Sequence, residues 1–135
     1  SKFPINKIEL INAILSNKSN LKKIINIIHQ EVRKRMKLFL NKNRNKKIVI
    51  LDIPLLIENK LFNKKDLLIF FDSNKKDIDK RIKKRANFNQ KLLNRFKKIQ
   101  FKADYKKKKS QFVLKNKFTE KSVKKEIKKI LSKIA

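Results

Sequence analysis

Two short runs, Ile48-Val49-Ile50-Leu51 and Leu67-Leu68-Ile69-Phe70-Phe71, are apolar without any polar alternation, and between and around them the pattern switches to helical spacing. A strand that is apolar on both faces belongs in a parallel sheet covered on both sides. Two of them separated by a connector predict an open α/β sheet. Ile48 to Asp52 is therefore expected as one strand, residues 67 to 71 within the run Asp66 to Asp72 as a second, and Gln111 to Leu114 as a third.

The helices follow from apolar residues three and four apart. Ile8, Ile11, Ile14 and Leu15 predict a short helix over Ile5 to Leu15, followed by a loop from Ser16 to Asn20. Ile24, Ile25, Ile28, Val32, Met36 and Phe39 predict a long one from Leu21 to about Leu40 with a single buried stripe, and Asn41 to Lys47 is a polar turn. Pro54 stops the first strand, and Leu55 to Leu61 reads as a short helical or looped segment. Ser73 or Asn74 caps a helix running to about Arg85, and Ala86 to Gln90 breaks it. Leu92, Leu93, Phe96 and Ile99 mark the next helix, and Thr119 caps a last one carrying Val123, Ile127, Ile130, Leu131 and Ile134.

Composition excludes several chemistries. There is no cysteine and one histidine, His29, so thiolate metal sites and cysteine nucleophiles are ruled out and no metal site is expected from these residues. No uncharged apolar run approaches the roughly 20 residues of a membrane span, and the first twenty residues lack the order of a signal peptide, so the expected address is the cytoplasm. Glycine is absent from all 135 residues. A phosphate-cradling loop needs backbone that approaches closely at positive φ, so no such loop lies within them.

The formal charge of +29 points to a basic nucleic-acid-binding module as the competing reading. However, 34 of the 40 basic residues are lysine, and Ile and Asn are abundant while Gly and Ala are scarce, which is the profile of A/T-rich codons. Lysine runs such as Lys106 to Lys109 ordinarily coat solvated faces, and no helix-turn-helix, finger or RNA-motif signature is present.

A series of landmarks carries a family resemblance. In order they are Ile28-His29, Asp52-Ile53-Pro54-Leu55-Leu56-Ile57-Glu58-Asn59-Lys60-Leu61, Phe71-Asp72, Lys80-Arg81 with Arg85, Arg95 with Gln100, Lys106, and Phe112-Val113-Leu114-Lys115-Asn116. Together they resemble the dephospho-coenzyme A kinase family over residues 6 to 134, the Pro-Leu-Leu-x-Glu segment being the most specific. The departures are Gln30 for a proline, Ser110-Gln111 for an Ala-Asp pair, and Lys115 for an acidic residue.

The resemblance implies a P-loop kinase-like three-layer α/β fold with a parallel sheet. It is incomplete here, because the Walker A loop, the first strand and the catalytic aspartate of the family are not among residues 1 to 135. One partial kinase domain is expected, with a helical acceptor-binding region at about 5–41 and core strands and lid at about 46–135. In the family's strand order 2-3-1-4-5, residues 48–52, 67–71 and 112–114 become strands 3, 4 and 5. The activity implied is transfer of the ATP γ-phosphoryl to the ribose 3′-hydroxyl of dephospho-coenzyme A, with Mg²⁺ held through the N-terminal segment and this stretch inactive alone. Arg81 and Arg85, one helical turn apart, are the implied catalytic and ATP-binding cations. His29, Pro54, Leu55, Leu56 and Glu58 are the implied acceptor site, and Lys115, Asn116 and Lys117 the implied adenine-side loop. The implied partners are dephospho-coenzyme A and ATP, with no specific nucleic acid, no membrane and a monomeric state.

Overall fold

The computed structural model describes residues 4–134. In chain order its elements are α1 (Lys7–Ser16), α2 (Lys18–Lys42), β1 (Ile69–Asp72), α3 (Lys75–Lys83), α4 (Gln90–Ile99), α5 (Ala103–Lys109), β2 (Phe112–Lys115) and α6 (Glu120–Ile134). Two compact units divide them. The first comprises Ser1–Leu61 and Asn89–Gln100, the second Phe62–Phe88 and Phe101–Ala135.

In the first unit, α1 packs against both α2 and α4. Asn6, Asn17 and Asn89 each cap the helix that follows, their side-chain oxygens accepting from Ile8, Ser19 and Leu92 backbone N–H groups at 2.9 Å. Because Asn17 is already the cap of α2, one residue suffices between α1 and α2, and the expected loop from 16 to 20 shrinks to Asn17. Asn20 donates back to the Ala13 carbonyl at 2.8 Å and fixes the corner. Ile14, Leu21, His29 and Leu61 are the buried side chains of this unit.

The long helix differs from its expected face. Leu21 and His29 are buried while Ile28 and Phe39 are exposed, so the inward stripe runs through 21, 25, 29, 32, 36 and 40. Spacings of four, four, three, four and four residues are as helical as the apolar series, and periodicity weighted by hydropathy alone passes over the histidine.

In the second unit β1 and β2 pair in parallel, with Ile69 opposite Phe112 and Asp72 opposite Lys115. Just upstream of the ladder, the Gln111 side-chain Oε1 accepts from Leu68 N–H at 2.7 Å. Helix α6 lies on β2. Leu68, Leu114 and Ile130 are its buried side chains, whereas Leu67, Ile69, Phe71 and Val113 are exposed. The mixed α/β class and the parallel sheet agree with the sequence reading. The first expected strand does not form: residues 48–52 belong to no ladder, and Ile50 is 82% exposed. A strand exists through its partner's hydrogen bonds, and none is supplied to this run among the described residues. No helix among the described residues is long and apolar enough to cross a membrane.

Candidate active site

The residues expected for the acceptor, His29 and the Pro54 to Glu58 segment, gather on one corner of the first unit. Residues 54–60 form consecutive turns closed by Asn59 N–H to Leu55 O at 3.0 Å, Lys60 N–H to Ile57 O at 3.2 Å and Leu61 N–H to Leu56 O at 2.9 Å. Leu55 and Lys60 take φ of 55° and 50°, left-handed backbone at both ends of the segment. Pro54 is exposed, and Leu55, Leu56 and Glu58 are half-buried.

Asn59 ties this segment to α2. Its side-chain amide donates to Leu55 O at 3.1 Å and meets His29 Nε2 at 3.3 Å. With both amide hydrogens used, Nε2 is the acceptor and the imidazole proton resides on Nδ1. Nδ1 is buried without a hydrogen-bond partner among the described residues, which costs on the order of 1–3 kcal/mol. One helical turn on, Arg33 Nη2 donates to the Asn59 carbonyl at 2.6 Å. His29 and the Pro54 to Glu58 segment are thus brought together, as the sequence grouped them, but through Asn59 and Arg33, to which it gave no role. The signal for Asn59 was its place at the end of the Pro-Leu-Leu-x-Glu run.

Of the residues expected on the nucleotide side, Arg81 and the loop of Lys115, Asn116 and Lys117 lie at the carboxyl edge of the sheet in the second unit. Lys115 ends β2, Asn116 N–H donates to Asp72 O at 2.8 Å, and Asn116 Oδ1 accepts from Phe118 N–H at 2.8 Å. The Arg81 guanidinium lies 4.5 Å from the centroid of the Phe118 ring. The same edge holds an ion pair between Asp72 Oδ2 and Lys107 Nζ at 3.0 Å, each side chain one-third exposed, with Lys107 also 5.8 Å from the Phe70 ring centroid. Arg81 is therefore joined to the loop of Lys115, Asn116 and Lys117 by a phenylalanine that the sequence reading left out. Nothing in the residue order marks a ring at φ 58°.

Arg85 differs from its expected setting. Helix α3 ends at Lys83, and Arg85 stands beyond it in turns where its N–H donates to Ile82 O and its carbonyl accepts from Phe88 N–H. The two arginines therefore do not share one helical face. Between Ile82 and Phe88 the only apolar residue is Ala86, so a further turn of helix has little side chain to bury.

A hollow of about 390 Å³ in the first unit is lined by Leu15, Lys91, Asn94, Arg95 and Lys98, and Arg95 reaches the Leu15 carbonyl at 3.0 Å. It contains none of the residues implied for acceptor or nucleotide. Among the described residues, no group of three or more His, Cys, Asp or Glu side chains could hold a metal ion.

Comparison with known proteins places the chain in a family. The dephospho-CoA kinase family model matches residues 4–122. A curated dephospho-CoA kinase from Wolbachia pipientis wMel is 27% identical over 112 residues, covering 82% of this chain and 57% of the relative. The chain thus spans little more than half the length of that relative. With the match running from before the first helix through the start of α6, and taking in both clusters, the chain belongs to the dephospho-CoA kinase family.

Proposed function

We propose that the chain is the acceptor-binding and lid part of an ATP-dependent kinase that phosphorylates the ribose 3′-hydroxyl of dephospho-coenzyme A, the last step of coenzyme A synthesis. The observation that carries this reading is the family match across residues 4–122. The Asn59-centred corner is read as the acceptor site, with His29, Pro54, Leu55, Leu56 and Glu58 around the bound substrate. Lys115, Asn116 and Lys117 meet the adenine side of ATP through backbone and side chain at the carboxyl edge of a parallel sheet, where open α/β folds take their ligands.

Phosphoryl transfer asks a protein for positioning and for positive charge around the moving group. Arg81 and Arg85 supply that charge in this reading, Arg81 held at the sheet edge and Arg85 reaching from the turns that follow α3. A Gly-rich loop for the β- and γ-phosphates comes from a segment outside residues 1–135, since these contain no glycine. Mg²⁺ finds no carboxylate cluster among the described residues, and no step here depends on one.

Calorimetric titration with dephospho-coenzyme A tests the acceptor assignment. Saturable binding, weakened roughly tenfold by Asn59→Asp through loss of one pair of charge-neutral donors, is expected. Heats that show no saturation, or equal affinity in the variant, would remove the corner from the substrate site.

A further inference from the structure

We propose that Phe118 is a positioning residue for Arg81, its ring holding the guanidinium at the carboxyl edge of the sheet with the N–H donors left open to an anionic nucleotide. The nucleotide reading given above supplies what Arg81 is positioned toward. The pairing of Arg81 and Phe118 itself stands on the geometry.

Three observations carry it. Phe118 takes φ 58°, a region that a bulky aromatic residue occupies only when its surroundings dictate it. The surroundings do: Asn116 Oδ1 holds the Phe118 N–H at 2.8 Å, and α6 starts immediately afterwards with Val123 N–H on the Thr119 carbonyl at 3.1 Å. Finally, the ring is 36% exposed, so it is not placed there to fill the core, and the charged group over it is Arg81 at 4.5 Å.

The chemistry of the contact suits the task. A cation over an aromatic face is held by the ring's quadrupole and not by its own hydrogen bonds. An arginine restrained in an ion pair would have spent donors on a carboxylate. Restrained on a ring, it keeps its planar fork of N–H groups for phosphate and loses less side-chain freedom when the ligand arrives.

Titration with a fluorescent ATP analogue, in the chain joined in frame to a P-loop segment of a family member, tests the inference in wild type, Phe118→Gly, Phe118→Tyr, Arg81→Ala and the Arg81→Ala/Phe118→Gly double variant. Glycine accepts positive φ freely, so Phe118→Gly should melt at or above the wild-type temperature yet bind the analogue roughly two- to fivefold more weakly, the scale of one exposed cation–π contact. Phe118→Tyr should restore wild-type affinity, and Phe118→Gly should change nothing further once Arg81 is alanine. Equal weakening in both backgrounds, wild-type affinity in Phe118→Gly, or no rescue by tyrosine overturns the proposal. The Arg81 Nε–H resonance separates this outcome from failure of the nucleotide reading. It should carry a ring-current shift in wild type that disappears in Phe118→Gly. Absence of that shift overturns the pairing whatever the titration gives, while a wild-type joined chain that binds no ATP analogue overturns the nucleotide reading whatever the resonance shows.

Discussion

Leu55, Lys60 and Phe118 adopt left-handed backbone in a chain that has no glycine to offer, at about 1–2 kcal/mol each. Leu55 lies within, and Lys60 and Phe118 just beyond, the two segments proposed for ligands, and each is held by hydrogen bonds that use asparagine or the backbone around it. Asn59 is the clearest case, since it donates to Leu55 O and to His29 Nε2 at once. Asn59→Ala should leave both acceptors unsatisfied and free the segment by about 1–3 kcal/mol. Amide exchange at Asn59, Lys60 and Leu61 reads this locally and should accelerate about tenfold or more, because 1.4 kcal/mol is a factor of ten in the opening equilibrium. Unchanged exchange at these three amides would mean that Asn59 does not hold the segment. Of this corner the sequence made legible the members, His29 and Pro54 to Glu58, through their resemblance to a family run. It could not reveal the link, because an asparagine's two donors acquire targets only once α2 and the turns are brought side by side.

Four of the six helices among the described residues start on asparagine: Asn6, Asn17, Asn74 and Asn89 each accept from a backbone N–H of the helix they open. Five of the six helices among the described residues were legible from their 3.6-residue spacing, including α6 and its start after Thr119, whereas α5, with only Ala103 and Tyr105 apolar before its lysine run, was not. Strands were legible where a partner exists, as β1 and β2 show, and not at residues 48–52, because hydropathy marks what a run would bury and says nothing of which strand is present to pair with it. Helix α6 carries a titratable element of its own. Its Glu126 is held below the ordinary value of 4.5, first by the hydrogen bond from Lys129 at 2.7 Å and further by the charges of Lys129 and Lys115. A carboxyl whose folded value is depressed adds stability above its unfolded value and loses it as pH falls through the folded one. Helical circular dichroism melts should therefore drop in temperature as pH is taken from about 5 downwards, and Glu126→Gln should remove a small part of that drop, small because the ion pair is solvent-screened. An identical acid profile in Glu126→Gln would show that the pair contributes nothing. Glu31 on α2, lowered chiefly by the hydrogen bond from Arg35 at 2.8 Å, acts in the same direction.

For the molecule as a whole, the +29 charge and the exposed apolar strand residues are separate features. A parallel sheet with Leu67, Ile69, Phe71 and Val113 exposed departs from the double cover such sheets normally have. The lysines, by contrast, are spread over every helix and are read as solvated surface. Binding to random-sequence DNA should then be confined to low salt and be lost by about 0.15 M, where charges beyond about 8 Å are screened. Tight binding retained at that ionic strength would favour the nucleic-acid reading. The most direct test of the kinase account is formation of 3′-phosphorylated product from dephospho-coenzyme A and ATP with Mg²⁺. The account predicts no product from residues 1–135 alone, product when the chain is joined in frame to a P-loop segment of a family member, and a loss of about two orders of magnitude or more in kcat for Arg81→Ala or Arg85→Ala in the joined chain. Turnover by residues 1–135 alone, or wild-type kcat in both arginine variants, would contradict it.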